Sequence, residues 1–356
     1  MKMIQKTVHN ALPILLIAAA LSSAVPVSAC TRVLYQGSAG RVLTGRTMDW
    51  KLEILSNLWI FPRGMKRQGA AGPNSLTWTS KYGSLAVSGY NIATVDGMNE
   101  PGLVVNAQWL VNSKYPEDDG KTPRMAVSVW PQYFLDNFAT VAEAVAHVRA
   151  NPFHVATGEV PVQPGRLATI HLSLSDATGD SAIMEWVDGK LRIHHDRRYQ
   201  VMTNEPVFED QLAIAQYWRQ VDGLTFLPGT SRATDRFARA SFYINAIPKT
   251  DDFRIAAASV FSVIRNASVP YGISLSDQPN LSTTRWRVVA DQKDKLYYFE
   301  SAISPNVFWV DLKKIDFSSK SGVRTLDLGN NQQIVFSGKV SSRFVAAKPF
   351  VFEAAQ

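Results

Sequence analysis

The chain has 356 residues, 46% of them hydrophobic and 19% charged, which suits a globular protein with a large core. Its net charge of +7 is scattered, with no long basic run to track phosphates, so nucleic acid is not indicated as a partner. A single cysteine excludes an internal disulfide and leaves an intermolecular pair or a free thiol.

The first element in chain order is a leader. Lys2 and Lys6 precede an apolar run over 12–21, and Val27, Ser28 and Ala29 follow with the small residues of a cleavage site. This is the layout of a secretory signal peptide over 1–29. The run is too short to cross a bilayer comfortably, which takes about 20 residues, and no later segment matches it in length. The reading predicts a periplasmic or secreted protein with no membrane attachment after cleavage and one domain over 30–356. Cleavage after Ala29 removes two lysines, lowers the net charge to +5 and makes Cys30 the first residue.

Cys30 supports three readings. It is an incidental buried cysteine, a small hydrophobe. Or it is the lipid-bearing cysteine of a non-catalytic surface lipoprotein, since Val27-Ser28-Ala29-Cys30 is an acceptable attachment box; the β-rich Thr31–Gln36 that follows is a poor tether. Or it is a nucleophile whose own α-amine is the base. An α-amine ordinarily titrates at about 8 and a cysteine thiol at about 8.5, so such an amine can take the thiol proton and return it to a leaving group.

Strands are predicted over 31–36 and 41–49, joined by the Gly37–Gly40 turn as a hairpin. That hairpin brings Arg46 and Asp49 near Cys30. A guanidinium favours the thiolate and a carboxylate holds the α-amine; the competing reading is an exposed ion pair worth little. Further strands are predicted over 56–62, 75–80, 83–89, 91–95 and 102–110. Helices follow over 124–137 and 140–150, the second capped by Thr140 with Glu143 three residues on. Strands return over 168–175, 181–187, 190–195 and 199–204, with Asp188-Gly189 marking a hairpin. Helices over 207–221, 232–246 and 252–265 precede strands over 285–291, 295–302, 306–311 and 332–337. The pattern predicts an α+β fold: two stacked antiparallel sheets between helical layers, a four-layer αββα sandwich.

Other chemistry is poorly supported. No metal or cofactor motif occurs. His194 and His195 are adjacent on a strand and face opposite sides. The 175–180 segment reads as a turn, and the acidic 116–121 segment as a solvated loop that flanks a pocket.

Cys30-Thr31, then Gly45-Arg46-Thr47-Met48-Asp49-Trp50 one hairpin later, resembles the choloylglycine hydrolase family of N-terminal-nucleophile hydrolases. Asn99-Glu100-Pro101-Gly102-Leu103, Thr203-Asn204-Glu205-Pro206, the arginine-rich 227–242 segment and the 282–299 strand pair resemble later family motifs in order. The resemblance covers most of the chain after 29. It implies the N-terminal-nucleophile hydrolase fold and a cysteine amidohydrolase that cleaves a linear, non-peptide C–N bond through an acyl-enzyme. The expected partner is a small acyl amide: penicillin V first, then a conjugated bile salt or an N-acyl homoserine lactone. It implies Cys30 as nucleophile, Arg46 and Asp49 as tuning groups, Asn204 as an oxyanion donor and Arg236 as a distal polar residue. It also implies a homotetramer and no cofactor.

One position departs from the family pattern. Trp109 stands where many members carry an oxyanion asparagine, and a tryptophan here resembles the Gram-negative, periplasmic branch of the family. Asn106 is near but two-residue alternation turns it the other way, leaving a backbone N–H near 109 or the indole N–H as substitute donors. Trp50 and Trp109 read either as an aromatic wall for an apolar acyl group or as core.

Overall fold

A computed structural model of the protein describes residues 30–274 and 282–356. The leader expectation over 1–29 lies outside these residues. In chain order the first strands are β1 (Thr31–Gln36), β2 (Val42–Trp50), β3 (Leu58–Phe61), β4 (Lys66–Gln68), β5 (Thr77–Thr79), β6 (Ser84–Gly89), β7 (Ala93–Asn99), β8 (Val104–Trp109) and β9 (Arg124–Ala126). Helices α1 (Trp130–Asn137) and α2 (Val141–Ala150) lead to β10 (His154–Ala156), β11 (Ile170–Ser175), β12 (Ser181–Val187), β13 (Lys190–His195) and β14 (Val201–Thr203). Then come α3 (Phe208–Val221), α4 (Ala233–Ala246), α5 (Phe253–Asn266), β15 (Thr283–Asp291), β16 (Leu296–Ser301), β17 (Val307–Asp311), β18 (Arg324–Leu326), β19 (Gly338–Lys339) and β20 (Val345–Ala346).

One large sheet runs β14-β1-β2-β15-β16-β17-β19 and the other β13-β12-β11-β8-β7-β6-β3-β18-β20. All neighbours in them are antiparallel except β17 and β19. Strand alternation explains the layers, because successive side chains leave opposite faces. Met48, Trp286, Val288 and Phe299 of the first sheet meet Leu58, Leu85, Val87 and Met98 of the second in one buried cluster. The second sheet's other face, with Val105, Ala107, Leu172 and Leu174, buries residues of α1 and α2. The first sheet's other face, with Val33, Leu43 and Val289, buries α3, α4 and α5. The predicted αββα sandwich is the architecture found.

Local signals set the helix starts. Thr140 accepts a hydrogen bond from the Glu143 N–H (3.1 Å), and the Glu143 carboxylate accepts one from the Ala139 N–H (2.8 Å). Asp252 caps α5 through the N–H groups of Arg254 and Ile255. Packing of α5 on β2 depends on Gly45. A Cβ there would lie 2.6 Å from Val260 Cγ1 and 3.1 Å from Ile264 Cγ2. Gly45→Ala is therefore expected to lower stability by about 1–3 kcal/mol through overpacking; an unchanged denaturation midpoint would contradict this.

The short strands β4, β10, β18, β19 and β20 have no counterpart in the sequence reading, and two predicted elements differ from it. The helix predicted over 124–137 starts at Trp130, and 124–126 is instead strand β9, parallel to β10. Pro131 explains the late start: it lacks an N–H and fits only the first turn of a helix. The strand predicted over 332–337 does not form. A 3₁₀ turn covers Asn330–Gln332, and Ile334 and Val335 are exposed with no strand beside them. Alternation alone does not make a strand without a ladder partner.

Candidate active site

The β1–β2 hairpin sets the site. Its register pairs Thr31 with Thr47 and Arg32 with Arg46, and β14 joins the other edge of β1 with Thr203 opposite Thr31. Cys30, just before β1, is thereby flanked by the end of β2 and by Asn204. Its sulfur is buried. Sγ accepts the Asp49 N–H at 3.4 Å and lies 3.9 Å from Arg46 Nη2.

The Asp49 carboxylate is held on both oxygens. Thr284 Oγ1 donates to Oδ1 (2.5 Å) and Thr47 Oγ1 to Oδ2 (3.0 Å), while Thr47 Oγ1 also accepts the Thr31 N–H (3.0 Å). Thr284 sits opposite Asp49 on β15, where the ladder shifts register. Burial pushes the Asp49 carboxyl up to about 6, against the pull of Arg236, the two threonines and Arg46. Between its ordinary 3.8 and about 6, the folded chain holds a proton there that the unfolded chain has released. Stability contributed by this group is thus present at low pH and falls as pH rises through that window. Asp49→Asn in the uncleaved chain is expected to flatten the decline of Tm across it; an unchanged slope would contradict the assignment.

Arg46 crosses from the first sheet to the second. Its Nη2 donates to the Ala107 carbonyl (2.7 Å), its Nη1 lies 3.7 Å from Asp96 Oδ2, and its guanidinium stacks 4.7 Å from the Trp286 ring. Asp96 was not found by sequence reasoning. It is fully buried and also accepts from Tyr297 Oη (2.6 Å) and Asn106 Nδ2 (2.8 Å). Burial raises its carboxyl above the usual range although Arg46 opposes this. Burial likewise pushes the Cys30 thiol up; Arg46 pulls it down and Asp49 pushes it further up. The expected effect of Arg46 is present, but desolvation outweighs it in the uncleaved chain.

Asn204 and Arg236 form the other side. Arg236 Nη2 donates to Asn204 Oδ1 (3.0 Å), which turns the amide nitrogen the other way, where Nδ2 donates to the Trp109 carbonyl (2.9 Å). Arg236 Nη1 donates to the Cys30 carbonyl and to Thr31 Oγ1, both at 2.6 Å. Arg236 is fully buried in direct contact with Cys30. The polar site residue expected at 236 therefore lies directly beside Cys30, and its guanidinium ties α4 to β1. Asn106 is occupied by Asp96 and by Ser173 Oγ (3.1 Å), so it does not replace the missing asparagine.

Beside Cys30 lies a cavity of about 870 Å³ including its mouth, with mostly apolar walls. Trp50 and Trp109 both line it, with ring centroids 5.3 Å apart, and both belong to the inter-sheet core. The two readings of these residues therefore coincide. The Trp50 indole N–H is engaged by Tyr90 Oη (2.7 Å). The Arg166 guanidinium stacks outside, 4.4 Å from the Trp109 ring. The 116–121 loop contributes no residue to the lining. His194 Nε2 lies 3.6 Å from Glu185 and His195 Nε2 2.8 Å from Asp180. Among the described residues, no group of three His, Cys, Asp or Glu is arranged to hold a metal.

Residues 30–325 match the family model described as linear amide C–N hydrolases, choloylglycine hydrolase family. The chain is 50% identical to the penicillin V acylase of Pectobacterium atrosepticum, covering 95% of each protein. It is 26% identical to the bile salt hydrolase/transferase of Clostridium perfringens, over 80% of this chain and 93% of that one. Among solved structures, penicillin V acylase from Agrobacterium tumefaciens superposes with a TM-score of 0.86 at 57% identity, covering 91% of this chain and all of that one. At 22% identity, a conjugated bile acid hydrolase from Clostridium perfringens shares the fold with a TM-score of 0.73.

Proposed function

The chain belongs to the choloylglycine hydrolase family, hydrolases of linear non-peptide C–N bonds, and from that premise we propose an exported acylase whose nucleophile is Cys30. The leader is removed after Ala29, which frees the Cys30 α-amine. The observation that carries this reading is the placement of Sγ between the Asp49 N–H and Arg46 in the lining of an apolar cavity.

The reaction runs in two halves. The α-amine takes the thiol proton and Sγ attacks the amide carbonyl carbon. The carbonyl electrons move to oxygen, and the N–H of Asn204 Nδ2 that is not given to the Trp109 carbonyl is the donor to that charge. A donor so placed is worth about 2.7–4 kcal/mol. As the tetrahedral species collapses, the ammonium gives its proton to the leaving nitrogen and the C–N bond breaks, leaving a thioester. Water then loses a proton to the same amine and adds to the thioester carbon. The C–S bond breaks, the acid departs and the proton returns to sulfur. Asp49 holds the amine; Arg46 and Arg236 offset negative charge around the sulfur.

Burial of Cys30 weighs against the lipoprotein reading. Cys30 is only 3% exposed and its carbonyl is bonded to Arg236, a setting unlike the solvent-facing tether a lipidated cysteine needs. The similarity to penicillin V acylases and the apolar cavity favour penicillin V as substrate. The test is a parallel assay of protein beginning at Cys30 against penicillin V, a conjugated bile salt and a long-chain acyl homoserine lactone. Fastest turnover of penicillin V supports the reading; hydrolysis of none of the three overturns it.

A further inference from the structure

We infer that the strap Glu353–Gln356 is the end wall of the acyl cavity and fixes the longest acyl group it accepts; this rests on the acylase reading above. Glu353 and Ala354 line the same cavity as Cys30. They lie beyond residues 30–325 that match the family model, and no motif in the sequence pointed to them.

Hydrogen bonds sew this strap to the cavity's other walls. The Glu353 N–H donates to the Ile92 carbonyl (2.9 Å) and Ser128 Oγ donates to the Glu353 carbonyl (2.6 Å). The Ala355 N–H donates to the Ala70 carbonyl (2.9 Å) and the Gln356 N–H to the Thr157 carbonyl (3.0 Å). Ile92, Ser128 and Gly158 themselves line the cavity. Gly158 lets the strap come close: a Cβ there would lie 3.0 Å from the Ala354 carbonyl oxygen. Upstream, Phe350 packs 5.2 Å from the Trp59 ring and 4.9 Å from Phe352, which anchors the strap independently of its last residues. A wall of hydrogen-bonded backbone limits length, because an acyl chain that outgrows the cavity must displace paired backbone groups.

The test uses the full chain carrying Cys30→Ala, the same chain lacking 353–356, and the same chain with Glu353→Pro, which removes the N–H bonded to Ile92. The probes are straight-chain carboxylic acids from butanoic to hexadecanoic, which are products of acyl amide hydrolysis, with affinity measured by calorimetry. Each methylene that finds room strengthens binding about fourfold. All three proteins are expected to bind the short acids equally. The intact chain is expected to stop gaining at a length beyond which both altered chains continue, ending about tenfold or more tighter for the longest acid. Coincident length profiles, or an equal loss for every acid, overturn the wall. Amide hydrolysis by the Cys30 protein is measured alongside. A shifted length limit without hydrolysis sinks the acylase reading and keeps the wall; hydrolysis with an unmoved limit sinks the wall alone.

Discussion

Cys30→Ala is expected to lower amide turnover by a factor on the order of 10⁴ or more while leaving the protein folded, in line with removal of other covalent nucleophiles. The chemistry has no substitute. Among the described residues this is the only cysteine, and no histidine is hydrogen-bonded to it. The structural cost is small because the sulfur makes only long contacts, 3.4 Å from the Asp49 N–H, 3.7 Å to the Asp49 carbonyl and 3.9 Å from Arg46. The Cys30 backbone bond to Arg236 is kept in the variant. A stability change of roughly 1 kcal/mol is expected, typical of a point substitution. Turnover within tenfold of the parent would remove Cys30 from the mechanism.

Arg46→Met is expected to be the most destabilising single change at the site. It leaves Asp96 as a buried carboxylate whose remaining partners are Tyr297 and Asn106, removes the donor to the Ala107 carbonyl and ends the stacking on Trp286. Breaking a buried pair by removing one partner costs about 3–5 kcal/mol. The thiol also loses the cation that pulls its pKa down, so the acidic limb of the activity profile should move to higher pH. Adding Asp96→Asn removes the stranded charge and should recover part of the stability but none of the pH shift. That split separates the two roles of Arg46. A single variant as stable as the parent, or a double variant with the parent's pH profile, would contradict them.

The parts of this site legible in the sequence are those set by neighbouring residues. A glycine-bounded turn between two β-rich runs fixes the hairpin, and the hairpin alone delivers Arg46 and Asp49 to Cys30. Capping by Thr140 is equally local. Asp96 was not legible, since an acid between strand residues looks the same whether it faces water or an arginine from another sheet. Arg236 is legible only through the family resemblance: beside Arg232 and Arg239 it also reads as a solvated helix face, and the packing of α4 on β1 turns it inward. The 124–126 strand depends on a parallel partner in β10, some thirty positions further along the chain. The strap over 353–356 has neither helical nor strand periodicity, and its role arises from where its backbone bonds end.

The α-amine as base is the central claim, and one comparison tests it most directly: the kcat/KM for penicillin V of protein beginning at Cys30 against protein that keeps Ala29 ahead of it. Both carry the same sulfur, Arg46, Asp49 and Asn204, and differ in whether the Cys30 nitrogen is an amine or a peptide nitrogen. A general base contributes about 10²–10⁴-fold, so the Ala29-bearing form is expected to fall by at least that much. Equal kcat/KM for the two forms would contradict the account.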